Sequence, residues 1–204
     1  MSDIAKLEVG GKSYEFPLIK GTENEVAINI KTLRGATDGV ITIDPGFKNT
    51  GSCESAITFL DGEKGILRYR GYSIEELAGK ADFLETAYAL IFGDLPTKEE
   101  LEKFHNDIKA QSLVDDDVRK ILEAFPKTAH PMGVLSSLTS ALTAFNPSSV
   151  NIESADDMYN AIVRILGKFP VLVAWTMRKK QGLHLNYGKK TFGYVEYLMK
   201  KMYK

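Results

Sequence analysis

The side chains able to do chemistry in this sequence are few and scattered. Its histidines are His105, His130 and His184, and its single cysteine is Cys53. A histidine acting as a general base needs a neighbour that fixes its tautomer and stabilises the charge it acquires. In "AFPKTAHPMGVLSSLTSALTAF" (residues 124–145), no Cys, Asp or Glu stands beside His130, and Pro131 follows directly. Proline suits the first position of a helix, where its missing N–H costs nothing. The residue types therefore favour His130 as a helix start over His130 as a base. His105, in "EKFHNDI", reads as lying on a polar helix face, and His184 follows Gly182 in a loop. The histidine spacings match no metal motif such as H-E-x-x-H, so no metal site is expected. Cys53, in "TGSCESAI", has no visible base to generate a thiolate and reads as a small residue packing at a strand start.

Two basic pairs could hold an anion. Arg68 and Arg70 alternate along "ILRYRG", where an exposed strand face or local ion pairs explain them as well. Arg164 and Lys168 are one helical turn apart and share a face. They could grip a phosphate or simply solvate that side of the helix. Neither G-x-G-x-x-G nor G-x-x-x-x-G-K-[ST] occurs. The residues alone specify no reaction.

These groups must be positioned by a chain of 204 residues that is 44% hydrophobic, enough for one sizeable core. With 26 basic and 27 acidic residues the net charge is −1, which gives no general attraction to nucleic acid or an anionic membrane. One cysteine excludes an internal disulfide and a zinc cluster of cysteines, and fits a reducing compartment. The opening "MSDIAKLEVGGKSYEF" lacks the basic-then-apolar pattern of a signal peptide. No run reaches ~18 uninterrupted apolar residues; the most apolar region, 161–177, is broken by Arg164, Lys168 and Pro170. The expectation is a soluble cytoplasmic protein with neither nucleic acid nor membrane as partner.

Turn signals and periodicity divide the chain into a β-rich region, 1–70, and a helical region, 71–204. Gly10-Gly11 marks a hairpin, because both can take the positive φ of a tight turn. "AINI" and "GVITID" read as strands, and "AITFLDGEKGILRYRG" as a second hairpin looping from Asp61-Gly62 to Gly65. Helices are signalled by capping boxes at Ser73/Glu76, Thr97/Glu100 and Ser154/Asp157. Gly93 and Gly182 supply stops. A helix from Pro131 carries a bulky stripe (Met132, Leu135, Leu138, Leu142, Phe145) and a small one (Gly133, Ser137, Ser140, Ala144) that admits a close neighbour. The next helix should kink at Pro170. The tail, from "YGKKTF" onward, reads as one more helix.

Whole segments in order carry a more specific signal. "DPGFKNTGSCESAITFLDGEKGILRYRGYSIEELA", "FLETAYALIFGDLPT", "HPMGVLSSLTSALTAF" and "AIVRILGKFPVLVAW" follow one another. From about Lys6 to the end, this succession resembles the N-terminal half of citrate synthases of the bacterial hexameric, NADH-regulated type. The resemblance implies a mainly α fold: large-domain helices preceded by a small N-terminal β region of short hairpins, with the small catalytic domain absent from the chain. For the complete protein it implies an acyl transfer that condenses acetyl-CoA with oxaloacetate to citrate and CoA. It implies no cofactor beyond acetyl-CoA as substrate. It also implies a homo-oligomer, dimer or hexamer, with the His-Pro-Met helix and the long helix after it in the dimer interface.

The family's catalytic carboxylate and histidines lie in its C-terminal half. No residue here is carried over as catalytic, and the chain by itself is expected to be inactive. Arg164 and Lys168 match basic residues that contact NADH in the regulated enzymes. In "KAQSL" (109–113), however, Ala110 and Gln111 stand where those enzymes carry an arginine and a histidine. Two other readings are a non-catalytic helical module that dimerises through residues 131–180, and a 2-methylcitrate synthase using propionyl-CoA. A half-enzyme should also expose apolar surface and self-associate.

Overall fold

The computed structural model describes residues 3–147, 151–187 and 193–203. The chain forms two compact units, Met1–Ala56 and Ile57–Lys204. The division thus falls before the second hairpin, not at residue 70, and that hairpin belongs with the helices.

In the first unit, β1 (Ile4–Val9), β2 (Lys12–Lys20) and β3 (Val26–Ile28) form an antiparallel sheet in sequence order. Val9 pairs with Lys12 across Gly10 and Gly11, whose φ values of 59° and 75° fit the two-residue turn that matches strand twist. Phe16 and Leu33, the latter in the one-turn helix α1 (Leu33–Ala36), are its buried apolar residues.

"GVITID" is not a strand. Residues 40–44 join no ladder, and Ile41 and Ile43 are 65% and 86% exposed. Alternation alone does not hold a strand that finds no partner for its backbone. Asp44 instead folds the chain back: its Oδ2 accepts from Asn49 N at 2.8 Å and Thr50 Oγ1 at 2.7 Å. Those bonds, Thr50 first, hold its carboxyl below the ordinary value.

The second unit begins with β4 (Thr58–Asp61), β5 (Ile66–Tyr69) and β6 (Tyr72–Ser73), again antiparallel and in order. Asp61 Oδ1 accepts from the backbone of Glu63 and Lys64, and Gly65 closes the loop at φ 67°. Then come α2 (Ile74–Lys80), α3 (Phe83–Phe92), α4 (Lys98–Ala110) and α5 (Asp116–Ala124). They are followed by α6 (Pro131–Phe145), α7 (Ala155–Gln181) and α8 (Tyr194–Tyr203). The tail helix therefore starts at Tyr194; residues 188–192 lie outside the described residues.

The caps explain these boundaries. Ser73, Thr97 and Ser154 each accept from the backbone N–H three residues on. Thr97–Glu100 is a full reciprocal box, and so is Asp82–Glu85. Gly93 and Gly182 end α3 and α7 at φ 109° and 73°, the left-handed region that favours glycine.

Helix α7 is the axis of this unit. One core cluster joins Val118 and Leu122 of α5, Val134, Leu138 and Leu142 of α6, and Val171, Leu172 and Trp175 of α7. A second joins Leu84, Phe104 and Ile108 to Val163 of α7. At Gly167 the α7 backbone runs against the end of α4. A Cβ there would lie 2.6 Å from Ile108 O and 2.9 Å from the Gln111 carbonyl carbon. Among the described residues, α7 alone is long and apolar enough to cross a bilayer, yet half of its apolar window is buried inside the fold.

Pro170 does not interrupt α7. Its ring nitrogen has no hydrogen, so the carbonyl of Leu166, four residues back, loses its helical donor. The Tyr194 hydroxyl supplies one, donating to Leu166 O at 3.0 Å. Burial pushes the Tyr194 phenol up to about 12, so it stays a donor well into the alkaline range. Its ring stacks on Phe83 at 4.8 Å and 4°. Replacing Tyr194 with Phe is expected to cost about 1–3 kcal/mol by orphaning that carbonyl. In a Pro170→Ala background the restored N–H takes over and the cost largely vanishes. A double-mutant cycle by chemical denaturation checks this; an equal cost in both backgrounds would refute the pairing.

Candidate functional site

His130 caps α6. Its backbone is extended (φ −68°, ψ 127°), and Nδ1 accepts from the Met132 N–H at 3.2 Å. The imidazole thus does the work of a Ser or Asp cap. His184 is exposed in the segment after α7, where its carbonyl accepts from Arg178 Nε at 2.5 Å. His105 departs from expectation. It is half-buried and lines a cavity of about 30 Å³ with Leu84, Ile108, Gly167, Tyr194 and Tyr197. Its position between Leu101 and Ile108 puts it beside the apolar stripe of α4, not on the polar face. Cys53 is exposed in an irregular segment instead of packed at a strand start. The histidines sit on separate elements, and no group of three or more metal-ligating side chains occurs among the described residues.

The basic pairs are used unequally. Arg70, with φ 51°, donates from Nη2 to Leu90 O at 2.8 Å and ties the hairpin to α3. Lys168 is buried at 6% exposure; its Nζ donates to Leu113 O and lies 3.6 Å from Asp115 Oδ2. Its charge anchors the link between α4 and α5. On the same α7 face, Arg164 keeps Nε and Nη1 buried without a hydrogen-bond partner. Of the pair, Arg164 has buried donor atoms with no hydrogen-bond partner at all, whereas the Lys168 ammonium is engaged.

Two charged groupings escaped the sequence reading. Tyr159 OH donates to Asp107 Oδ2 at 2.6 Å, and Lys103 Nζ reaches the same oxygen at 2.7 Å and the Tyr159 ring centroid at 4.4 Å. This clasp joins α4 to α7. Hydrogen bonds to Asp107 and then Tyr159 raise the Lys103 ammonium, and the bond from Lys103 leads in holding Asp107 down. The Lys103/Asp107 spacing is visible in sequence as an i,i+4 pair, but Tyr159 is not.

The second grouping surrounds Lys201, 3% exposed, whose Nζ donates to Asn186 O at 3.2 Å and lies 4.9 Å from the Tyr197 ring centroid. Burial lowers its pKa. With its folded pKa depressed, the native form binds fewer protons between that value and the ordinary 10.5. Stability from this residue therefore rises with pH across that window and is lost below it. Lys201→Met is expected to raise Tm by roughly 2–4 °C per kcal/mol recovered. The gap from wild type should narrow as pH climbs toward 10.5; a gap that does not change with pH would contradict it.

A family model described as citrate synthase, C-terminal domain, matches residues 46–204. The chain belongs to the citrate synthase family. Its fold is likewise that of solved citrate synthases, mainly helical with small strand sheets toward the N-terminus. The citrate synthase of Pyrobaculum aerophilum aligns over 98% of this chain at 25% identity and a TM-score of 0.70. That of Thermotoga maritima MSB8 aligns over 79% at 33% identity and 0.66. The Thermoplasma acidophilum enzyme, solved as a ternary complex with carboxymethyl coenzyme A and oxaloacetate, shares the fold over 79% of the chain at 23% identity and 0.72. The chain spans 46%, 42% and 42% of these three structures, respectively.

Proposed function

We propose that this chain is the platform half of a citrate synthase. In the complete protein it would support condensation of acetyl-CoA with oxaloacetate, followed by thioester hydrolysis to citrate and CoA. The supporting observation is the family match over residues 46–204 combined with spans of 42–46% of the solved enzymes. The site geometry agrees. Proton removal from a thioester methyl and polarisation of a ketone need a carboxylate and histidines converging on one spot. Here His105, His130 and His184 serve a cavity wall, a helix cap and a loop. The chain alone is therefore expected to be inactive. A thiol-release assay with acetyl-CoA and oxaloacetate on the purified chain tests this; turnover above background would overturn the reading.

A second reading, a helical association module, has its own support on α6. Gly133, Ser137, Ser140 and Ala144 are exposed along one stripe, flanked by Met132 at 64% and Phe145 at 38%. Small residues allow a second backbone to approach, and apolar neighbours reward it. Self-association is expected by sedimentation, and Ser140→Arg should shift the chain toward monomer. A wild-type chain that stays monomeric at high concentration would count against this surface.

A further inference from the structure

A second small cavity, about 10 Å³, lies between the α5–α6 turn and the C-terminal half of α7, roughly 18 Å along that helix from Arg164. Thr176, 6% exposed, lines it, and its buried hydroxyl has no hydrogen-bond partner. A helical threonine can satisfy itself on a carbonyl of the preceding turn, and a buried hydroxyl without any partner is uncommon. Lys127, Lys179 and Lys180 line the same cavity, with Pro131 at the start of the 15-residue α6. The first turn of a helix carries partial positive charge.

Lys179 Nζ donates to Leu122 O at 2.6 Å and Glu123 O at 2.7 Å, so one of its three N–H groups remains. Lys127 Nζ lies 3.2 Å from where a Gly182 Cβ would stand, beside the end of α7. Among the described residues neither Lys127 nor Lys180 forms an ion pair, and the neighbouring carboxylate, Glu123, is held by Arg119 at 2.5 Å. Three lysines thus line the cavity that holds this unpartnered hydroxyl, and among the described residues none of the three is in an ion pair.

We propose that this pocket binds a phosphate group, as inorganic phosphate or as the head of a phosphomonoester. The enclosed volume is about that of a single oxygen, and because Thr176 Oγ1 is sealed from solvent, one phosphate oxygen reaches it only when the cavity wall opens slightly. The other oxygens sit in the open mouth among the lysines, where charge-assisted bonds are strongest. The site is separate from the condensation chemistry and does not depend on it.

The test measures binding of inorganic phosphate and of glycerol phosphate to the purified protein by phosphorus NMR titration. Thermal midpoints are followed in parallel at constant ionic strength against chloride. Saturable binding is expected, lost in Lys127→Ala/Lys180→Ala and weakened roughly tenfold in Thr176→Val, the loss of one hydrogen bond to a charged group. Either phosphate source binding in this pattern supports the site, and the tighter one identifies the source. Two results overturn it. One is a wild-type response no larger than that to chloride. The other is a Thr176→Val protein that gains stability yet binds phosphate unchanged, which assigns the hydroxyl to a trapped water.

Discussion

Much of the helical unit depends on one missing hydrogen atom. Pro170 cannot donate to Leu166 O, and a buried carbonyl without a donor is costly. The fold meets this demand from outside the helix, with the Tyr194 hydroxyl at 3.0 Å. That choice fixes where α8 starts and stacks Tyr194 on Phe83 of α3. On the same face one turn earlier, Gly167 lets the α4 backbone come within the reach of a side chain that is not there. A proline and a glycine three residues apart thus place three helices around α7.

The same helix distributes charge along its length. Near its middle, Lys168 is turned inward to a carbonyl and Asp115, holding the link between α4 and α5. Near its end, Lys179 satisfies the last carbonyls of α5, and Arg178 reaches His184 O and Met202 O. These cations act chiefly on backbone acceptors at helix ends, where partial negative charge accumulates. Basic residues that look like a ligand-binding series in a linear string therefore divide into structural anchors and a few with donors left over. Arg164 and Lys127 are in the second group.

Most helix boundaries were legible because caps are local. Ser73, Thr97, Ser154, Gly93 and Gly182 act through atoms three or four residues away, and so does His130. The Asp82–Glu85 box carries an equally clear D-x-x-E signal. Failures arose where the deciding partner is distant or missing. "GVITID" alternates as a strand should but has no neighbour to pair with. The polar neighbours of His105 suggest a polar face, whereas its spacing from Leu101 and Ile108 points inward, where the side chain is half-buried. No local rule could link Tyr194 to Leu166, Lys201 to Asn186 or Tyr159 to Asp107. Family membership was readable for a different reason: it rests on the order of several long segments, which no single residue carries.

The stacking of Phe83 on Tyr194 has a consequence for how the chain is made. The two rings are more than one hundred positions apart in the sequence. On the ribosome, helix α3 emerges several seconds before its partner, at synthesis rates of about 5–20 residues per second. During that interval Phe83, Leu84 and the cavity wall at His105 lack their lid. Contacts of such wide separation form late and slow the final closure. The nascent chain is therefore most in need of shelter from aggregation after these cores have begun to gather and before α8 arrives.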